Sequence, residues 1–212
     1  MDATRARLVQ KWPSIPGALT LLVLLASIAT SACSKTLTWE EEVPLNNGET
    51  IWVKRTRDYT RQGEAGNPFD VRWNPGQEQT IEFSWRGKAF RYTGDAMLML
   101  LAIDPTGIPV LVARASDHQW HTRHGYMCTR PFYVELVPDR SGQTWTWPPM
   151  PGKWLYGMPG NLMVDPPPLG STQTRYTAAQ RLESNIELGA GNASLRGVDP
   201  TYTDSYCRSQ GS

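Results

Sequence analysis

Short runs of alternating apolar and polar residues, broken again and again by turn-forming residues, constrain this chain more than any other feature. Leu37, Trp39, Glu41 and Val43 alternate with Thr38, Glu40 and Glu42, the two-residue period of a strand. Asn46-Asn47-Gly48 comes next, residues that tolerate the positive φ of a tight turn, and Thr50 to Arg55 reads as the return strand. Ile81, Phe83 and Trp85 repeat the pattern; Arg86-Gly87-Lys88 turns, and Phe90 and Tyr92 come back. Met97 to Ile103 is an unbroken apolar run, which predicts a strand buried on both faces. Asp104-Pro105-Thr106-Gly107 then turns the chain into Val110 to Ala113. Phe132 to Val137 predicts another strand, and Thr144 to Trp147 a weaker one at an edge, since Pro148 and Pro149 stop it. The expected fold is mainly β, an antiparallel meander forming a sandwich or partly open barrel over residues 33–165.

Two stretches fall outside that rhythm. Arg57 to Gln79 is polar and carries Gly, Asn and Pro, so it is expected to be a long loop, and its Arg57 to Arg72 part a contact surface. Pro166-Pro167-Pro168 reads as a stiff spacer that sets residues 166–212 apart. Beyond it, Tyr176 to Leu188 has helical composition, with Thr174 or Thr177 as cap and Gly189 as stop. Tyr176, Ala179, Leu182 and Ile186 share one face of that short helix, which is expected to lie against the sheet. The remaining Gly-, Ser- and Asn-rich residues predict an extended tail.

Composition supports strands over helices: the chain has nine Trp and seventeen Pro. Residues 1–32 hold Arg5, Arg7 and Lys11 against Asp2, so their net +2 leaves −1 of the formal +1 for the body. A nearly neutral body gives no electrostatic basis for binding nucleic acid.

The N-terminal residues carry an address. Three basic residues open the chain, no charge occurs between Lys11 and Lys35, and the most apolar stretch runs from Ala18 to Ile28. That length suits the central region of an export signal and falls short of the ~20 residues of a membrane-spanning helix. Small residues come immediately after, Ala29-Thr30-Ser31-Ala32, and then Cys33. This arrangement resembles a bacterial lipoprotein signal, with Thr30 standing where Leu is usual. The resemblance covers residues 1–34. It implies a signal peptide over 1–32, cleavage before Cys33, acylation of that cysteine and a lipid anchor in the membrane. Ser34 next to the cysteine implies the outer membrane of a Gram-negative cell, with the body facing the periplasm. The body resembles small proteobacterial lipoproteins, which implies no activity.

With Cys33 acylated, Cys128 and Cys207 form an even pair in an oxidising compartment and are expected to form a disulfide; two separate thiols are the alternative. A bridge would close a loop worth about 4–5 kcal/mol by chain entropy.

Candidate chemistry is sparse. All three histidines, His118, His121 and His124, fall within seven residues and could ligate zinc or copper if a curled loop converged them. Trp145, Trp147, Trp154 and Tyr156 make an aromatic stretch whose rings could stack on a ligand or pack in the core. No Gly-x-Ser-x-Gly, phosphate loop or His-Glu-x-x-His occurs. The run Glu40-Glu41-Glu42 is expected to be a solvated edge. No cofactor is expected. The leading expectation is a non-enzymatic lipoprotein that binds an envelope protein or glycan, or serves as an accessory subunit. Its rival is a metal-binding protein or enzyme built on the three histidines.

Overall fold

A computed structural model describes residues 34–63, 71–114, 133–148, 151–187 and 197–202. Among the described residues the fold is mainly β, two sheets dominated by antiparallel pairs with one short helix near the C-terminus and no closed barrel. Sheet A contains β1 (Ser34–Pro44), β2 (Thr50–Gly63), β3 (Val71–Trp85), β4 (Lys88–Gly94) and the two-residue β9 (Arg175–Tyr176), in the order β4-β3-β2-β1-β9. Sheet B contains β5 (Met97–Ile103), β6 (Pro109–Arg114), β7 (Tyr133–Pro138) and β8 (Trp145–Thr146), in that order.

The alternation read in the sequence builds the core. Val43, Val53, Ile81, Phe83 and Phe90 point inward from sheet A and meet Leu98, Leu101, Leu111, Val134 and Leu136 of sheet B. Phe83 and Phe90 stack with ring centroids 5.2 Å apart. Every residue of β5 after Met97 is buried, as its unbroken apolar run predicts, because a second layer covers the outer face of sheet B. Leu155, in a 3-10 turn at Lys153–Leu155, and Val198 pack there against Met99, Leu100, Val110, Val112 and Tyr133. Leu182 and Ile186, by contrast, are exposed.

Four expectations change. The stretch from Arg57 to Gln79 is not a loop. β2 runs to Gly63 and β3 starts at Val71, pairing Thr60 with Asn74 and Arg61 with Trp73. Register shifts between Arg57 and Tyr59, where Pro75 and Gly76 fall. There Arg57 Nε donates to the Gly76 carbonyl at 3.0 Å, and a Cβ on Gly76 would stand 3.0 Å from the Asp58 carbonyl oxygen. Pro and Gly mark a bulge in a long hairpin.

The helix is inverted relative to expectation. α1 covers Ala178–Glu187, and Tyr176 belongs to β9. Thr177 caps it: the Gln180 amide donates to the Thr177 hydroxyl at 3.4 Å, and the Thr177 amide to Gln180 Oε1 at 3.0 Å. Leu182 and Ile186 are 51% and 58% exposed, Ala179 is exposed, and the buried side chains are Arg181 and Asn185. The cause is hydrogen bonding, since Asn185 accepts from the Val164 amide at 3.0 Å and donates to the Leu162 carbonyl at 3.0 Å.

The triple proline does not detach the residues after it. Residues 35–212 form one compact unit, Pro167 is buried, and β9 lies parallel to β1 with Glu40 and Glu41 beside Arg175 and Tyr176. The pattern thus departs from a pure meander, and residues 197–202 of the expected tail include buried Gly197 and Val198.

Finally, Glu41 is not solvated. It is fully buried and accepts from Arg55 Nη1 at 3.0 Å and from the Met163 amide at 2.7 Å. Arg55 also donates to the Met163 carbonyl at 2.6 Å and to Gln79 Oε1. Replacing Arg55 with Met is expected to cost about 3–5 kcal/mol in urea unfolding, because the Glu41 charge is left buried without its partner. Removing both partners (Glu41→Leu with Arg55→Met) is expected to recover only part of it, since the Met163 amide loses its acceptor. An Arg55→Met variant as stable as the parent would contradict this account.

Candidate functional site: the open face of sheet A

Sheet B is covered on both faces, whereas the outward residues of sheet A meet no second layer among the described residues. Strand alternation puts Trp52 and Lys54 of β2, Glu82 and Ser84 of β3, and Ala89 and Arg91 of β4 on that outer face. Together with Glu40 they line an open groove of about 700 Å³. Arg91 and Gln143 also line an adjoining groove of about 430 Å³ that contains Tyr92, Asp95, Thr144, Trp145 and Trp147. The two depressions thus share a boundary.

The charges on this face are largely matched. Glu82 sits between Lys54 at 3.4 Å and Arg91 at 3.2 Å, and Glu40 lies 3.4 Å from Arg175. These pairs are exposed, so each contributes little to stability. Their effect is to leave a face with many hydrogen-bonding groups and little net charge. Two indoles are partly exposed in the two depressions: Trp52 on this face at 37%, and Trp147, which follows β8 and lines the adjoining groove, at 39%. The Arg175 guanidinium lies 3.9 Å over the Trp52 ring and supports it from one side.

The β7–β8 turn brings the second groove into place. Asp139 accepts from the Ser141 hydroxyl at 2.6 Å and from the amides of Ser141 and Gly142 at 3.0 Å each. Gly142 has φ +77°, and a Cβ there would stand 2.7 Å from the Ala89 carbonyl oxygen. Its own carbonyl accepts from the Arg91 amide at 2.9 Å, which docks the turn on β4 and sets Gln143 between the grooves. Trp145 Nε1 donates to the Arg91 carbonyl at 2.6 Å, and its ring meets Tyr92 edge-on at 5.9 Å. Burial pushes the Tyr92 hydroxyl up to about 12, so it stays a neutral phenol.

The aromatic stretch is therefore divided. Trp145 belongs to the core between the sheets and Trp147 to the groove, while Trp154 and Tyr156 pack, half-buried, on the outer face of sheet B. Trp52 and Arg91 were not singled out by sequence reasoning; an outward Trp at a polar position of an alternating strand was the available signal. Cys33, Cys128, Cys207, His118, His121 and His124 lie outside the described residues. Among the described residues no group of three or more His, Cys, Asp or Glu could hold a metal ion, and no helix is long and apolar enough to cross a membrane. Comparison with protein-family models, curated proteins and solved structures finds no match.

The Asp139 turn supplies a pH test. The Ser141 hydroxyl, then the backbone amides, hold the Asp139 carboxyl below its ordinary range. A depressed pKa in the folded state stabilises the turn above the unfolded value, and that contribution is lost as pH falls through the folded one. The protection of the Ser141, Gly142 and Thr144 amides, taken relative to their intrinsic exchange at each pH, is expected to fall on acidification below the ordinary aspartate range. In Asp139→Asn it is expected to be lower at neutral pH and nearly independent of acid. Equal acid sensitivity in both proteins would rule out Asp139 as the cause.

Proposed function

We propose that this chain is an acylated, non-enzymatic lipoprotein of the Gram-negative cell envelope whose body binds a glycan strand along the open face of sheet A. The observation that carries the reading is the pair of partly exposed indoles, Trp52 and Trp147, one in each of two adjoining grooves, beside mutually paired charges. Indole faces stack on the apolar faces of sugar rings, and the surrounding amide, hydroxyl and charged groups can satisfy hydroxyls. A groove that is long, shallow and nearly charge-balanced fits an extended neutral polymer better than a phosphate or a small charged metabolite. The carboxylates Glu40 and Glu82 in this groove are each already ion-paired, an arrangement suited to holding a ligand.

The anchor and the binding face are tested separately. Changing Cys33 to Ser is expected to move the protein from the membrane to the soluble envelope fraction, while the parent yields an N-terminal peptide starting at acylated Cys33. Retention of Cys33→Ser in the membrane would remove the lipid anchor from this reading. Purified cell-wall sacculi are expected to sediment with the parent body. The double variant Trp52→Ala with Trp147→Ala is expected to remain folded by circular dichroism and to bind at least about tenfold more weakly, since neither residue belongs to the buried core. Equal co-sedimentation of parent and variant would reject the glycan face.

A further inference from the structure

We propose that the depression where the β3–β4, β5–β6 and β7–β8 turns meet is a binding site for a small apolar acid, a monocarboxylate on a hydrocarbon tail. Its floor is apolar, made by Trp85, Phe90, Ile108, Pro109 and Pro138. Trp85 and Phe90 belong to the core between the sheets, so this is a place where that core reaches the surface. Ile108 stands 43% exposed beside them. Trp85 Nε1 donates to the Gly107 carbonyl at 3.1 Å, which satisfies the indole N–H and fixes the β5–β6 turn across the ring. On the other side the β7–β8 turn packs so closely that a Cβ on Gly142 would stand 3.0 Å from the Phe90 ring and 3.3 Å from Lys88 Cε. The walls are therefore in place before anything binds, which lowers the ordering cost of binding.

Cations rim this floor. Arg86, Lys88 and Arg140 line the depression with a single carboxylate, Asp139, a net +2 on a body that is close to neutral. Asp139 is turned to its own loop, where Oδ1 accepts from the Ser141 hydroxyl and from the amides of Ser141, Gly142 and Thr144. Asp104, in the neighbouring turn, is held in the same way by the Thr106 hydroxyl and the Ile108 amide. None of the three cations forms an ion pair among the described residues. Arg86 lies 5.2 Å over the Trp85 ring and Lys88 4.8 Å over the Phe90 ring. A ring face neutralises no charge, so an arriving carboxylate finds its countercharge already held beside the floor. Arg86 has φ +48° in a two-residue turn where Asn or Gly is the usual residue, so turn formation does not account for an arginine there. The depression measures about 330 Å³, room for roughly eleven groups the size of a water molecule. That suits an acid the size of octanoic acid, and the apolar floor disfavours an ion with no hydrocarbon part.

Octanoic acid carrying a diazirine in its tail, irradiated with the full-length protein and mapped by mass spectrometry, tests the site. Adducts are expected to saturate and to concentrate at residues 85–90, 107–109 and 138–140. The matching alcohol, which lacks the charge, is expected to label these positions at least about tenfold less. Unlabelled octanoate is expected to compete, and acetate, with no tail to bury, is not. Lys88→Gln with Arg140→Gln is expected to keep the parent's circular dichroism and to lower labelling at least about tenfold at sub-saturating probe. Arg86→Asn, which suits the turn better than the parent residue, is expected to fold normally and to lower labelling several-fold; this variant decides the matter if the double one fails to fold. Labelling that does not saturate, adducts spread equally to exposed apolar side chains such as Leu182 and Ile186, equal labelling by the alcohol, or variants that fold and label like the parent overturn the proposal.

Discussion

The buried ion pair of Glu41 and Arg55 is the constraint around which the rest of the body is arranged. A carboxylate and a guanidinium that are 0% and 2% exposed have both given up their hydration, and the attraction between them repays this only with further bonds to their other atoms. Those bonds go to Met163, whose amide donates to Glu41 and whose carbonyl accepts from Arg55, while Arg55 Nε is left without a hydrogen-bond partner and the guanidinium lies 5.2 Å over the Trp39 ring. Gln79 extends the set by accepting from Arg55 and donating to the Ala96 carbonyl at 2.6 Å. Three strands of sheet A, the entry to sheet B and the segment around Met163 are thereby joined through one pair of charges. A hydrophobic pair in the same place would cost less to bury and would leave the Met163 segment without a reason to sit there.

The position of the helix is set by that segment. The amides of Asn161 and Leu162 donate to the Met99 carbonyl of β5, and further backbone groups of residues 162–164 find side chains. Asn161 accepts from the Leu101 amide and donates to the carbonyls of Leu101 and Pro44. Asn185 takes the Val164 amide and the Leu162 carbonyl. Arg181 comes in on the same side, where burial pulls its pKa down against the opposing effect of Glu41. The two bonds of Asn185 to this segment hold that helix face inward, even though Arg181 Nε and Nη1 find no hydrogen-bond partner there. Leu182 and Ile186 turn outward as a consequence.

These two features show why some of the structure was legible in the sequence and some was not. The strands were legible wherever period-two alternation ended in turn chemistry, as at Asn46-Asn47-Gly48 and Arg86-Gly87-Lys88, because both signals are local. Glu41 obeyed that alternation, sitting in the inward row with Trp39 and Val43, yet its charge argued for solvent; its partner is 14 residues away. The helix face departs from its apolar stripe for a related reason, since such a stripe does not reveal that the neighbouring segment needs hydrogen bonds. In the long hairpin, Pro75 and Gly76 announced a break where the chain makes a bulge. The groove was legible only in part: Trp147 stood out in its proline-flanked stretch, whereas Trp52 and Arg91 acquire meaning only when three strands lie side by side.

The open face of sheet A is the counterpart of the covered face of sheet B. Every apolar run long enough to be buried on both sides, β5 and β6 above all, went to sheet B, where Leu155 and Val198 complete the cover. Sheet A received the alternating strands, and an alternating strand can present only a polar face to the outside. Such a face must avoid pairing with other molecules indiscriminately, and in the Lys54, Glu82 and Arg91 row the one carboxylate pairs with both cations and lowers the row's charge to +1. Against that background Trp52 breaks the pattern, because strand formation does not call for an indole at an outward position, and Arg175 stacks on it. Together with Trp147 in the adjoining groove it is what the functional reading rests on.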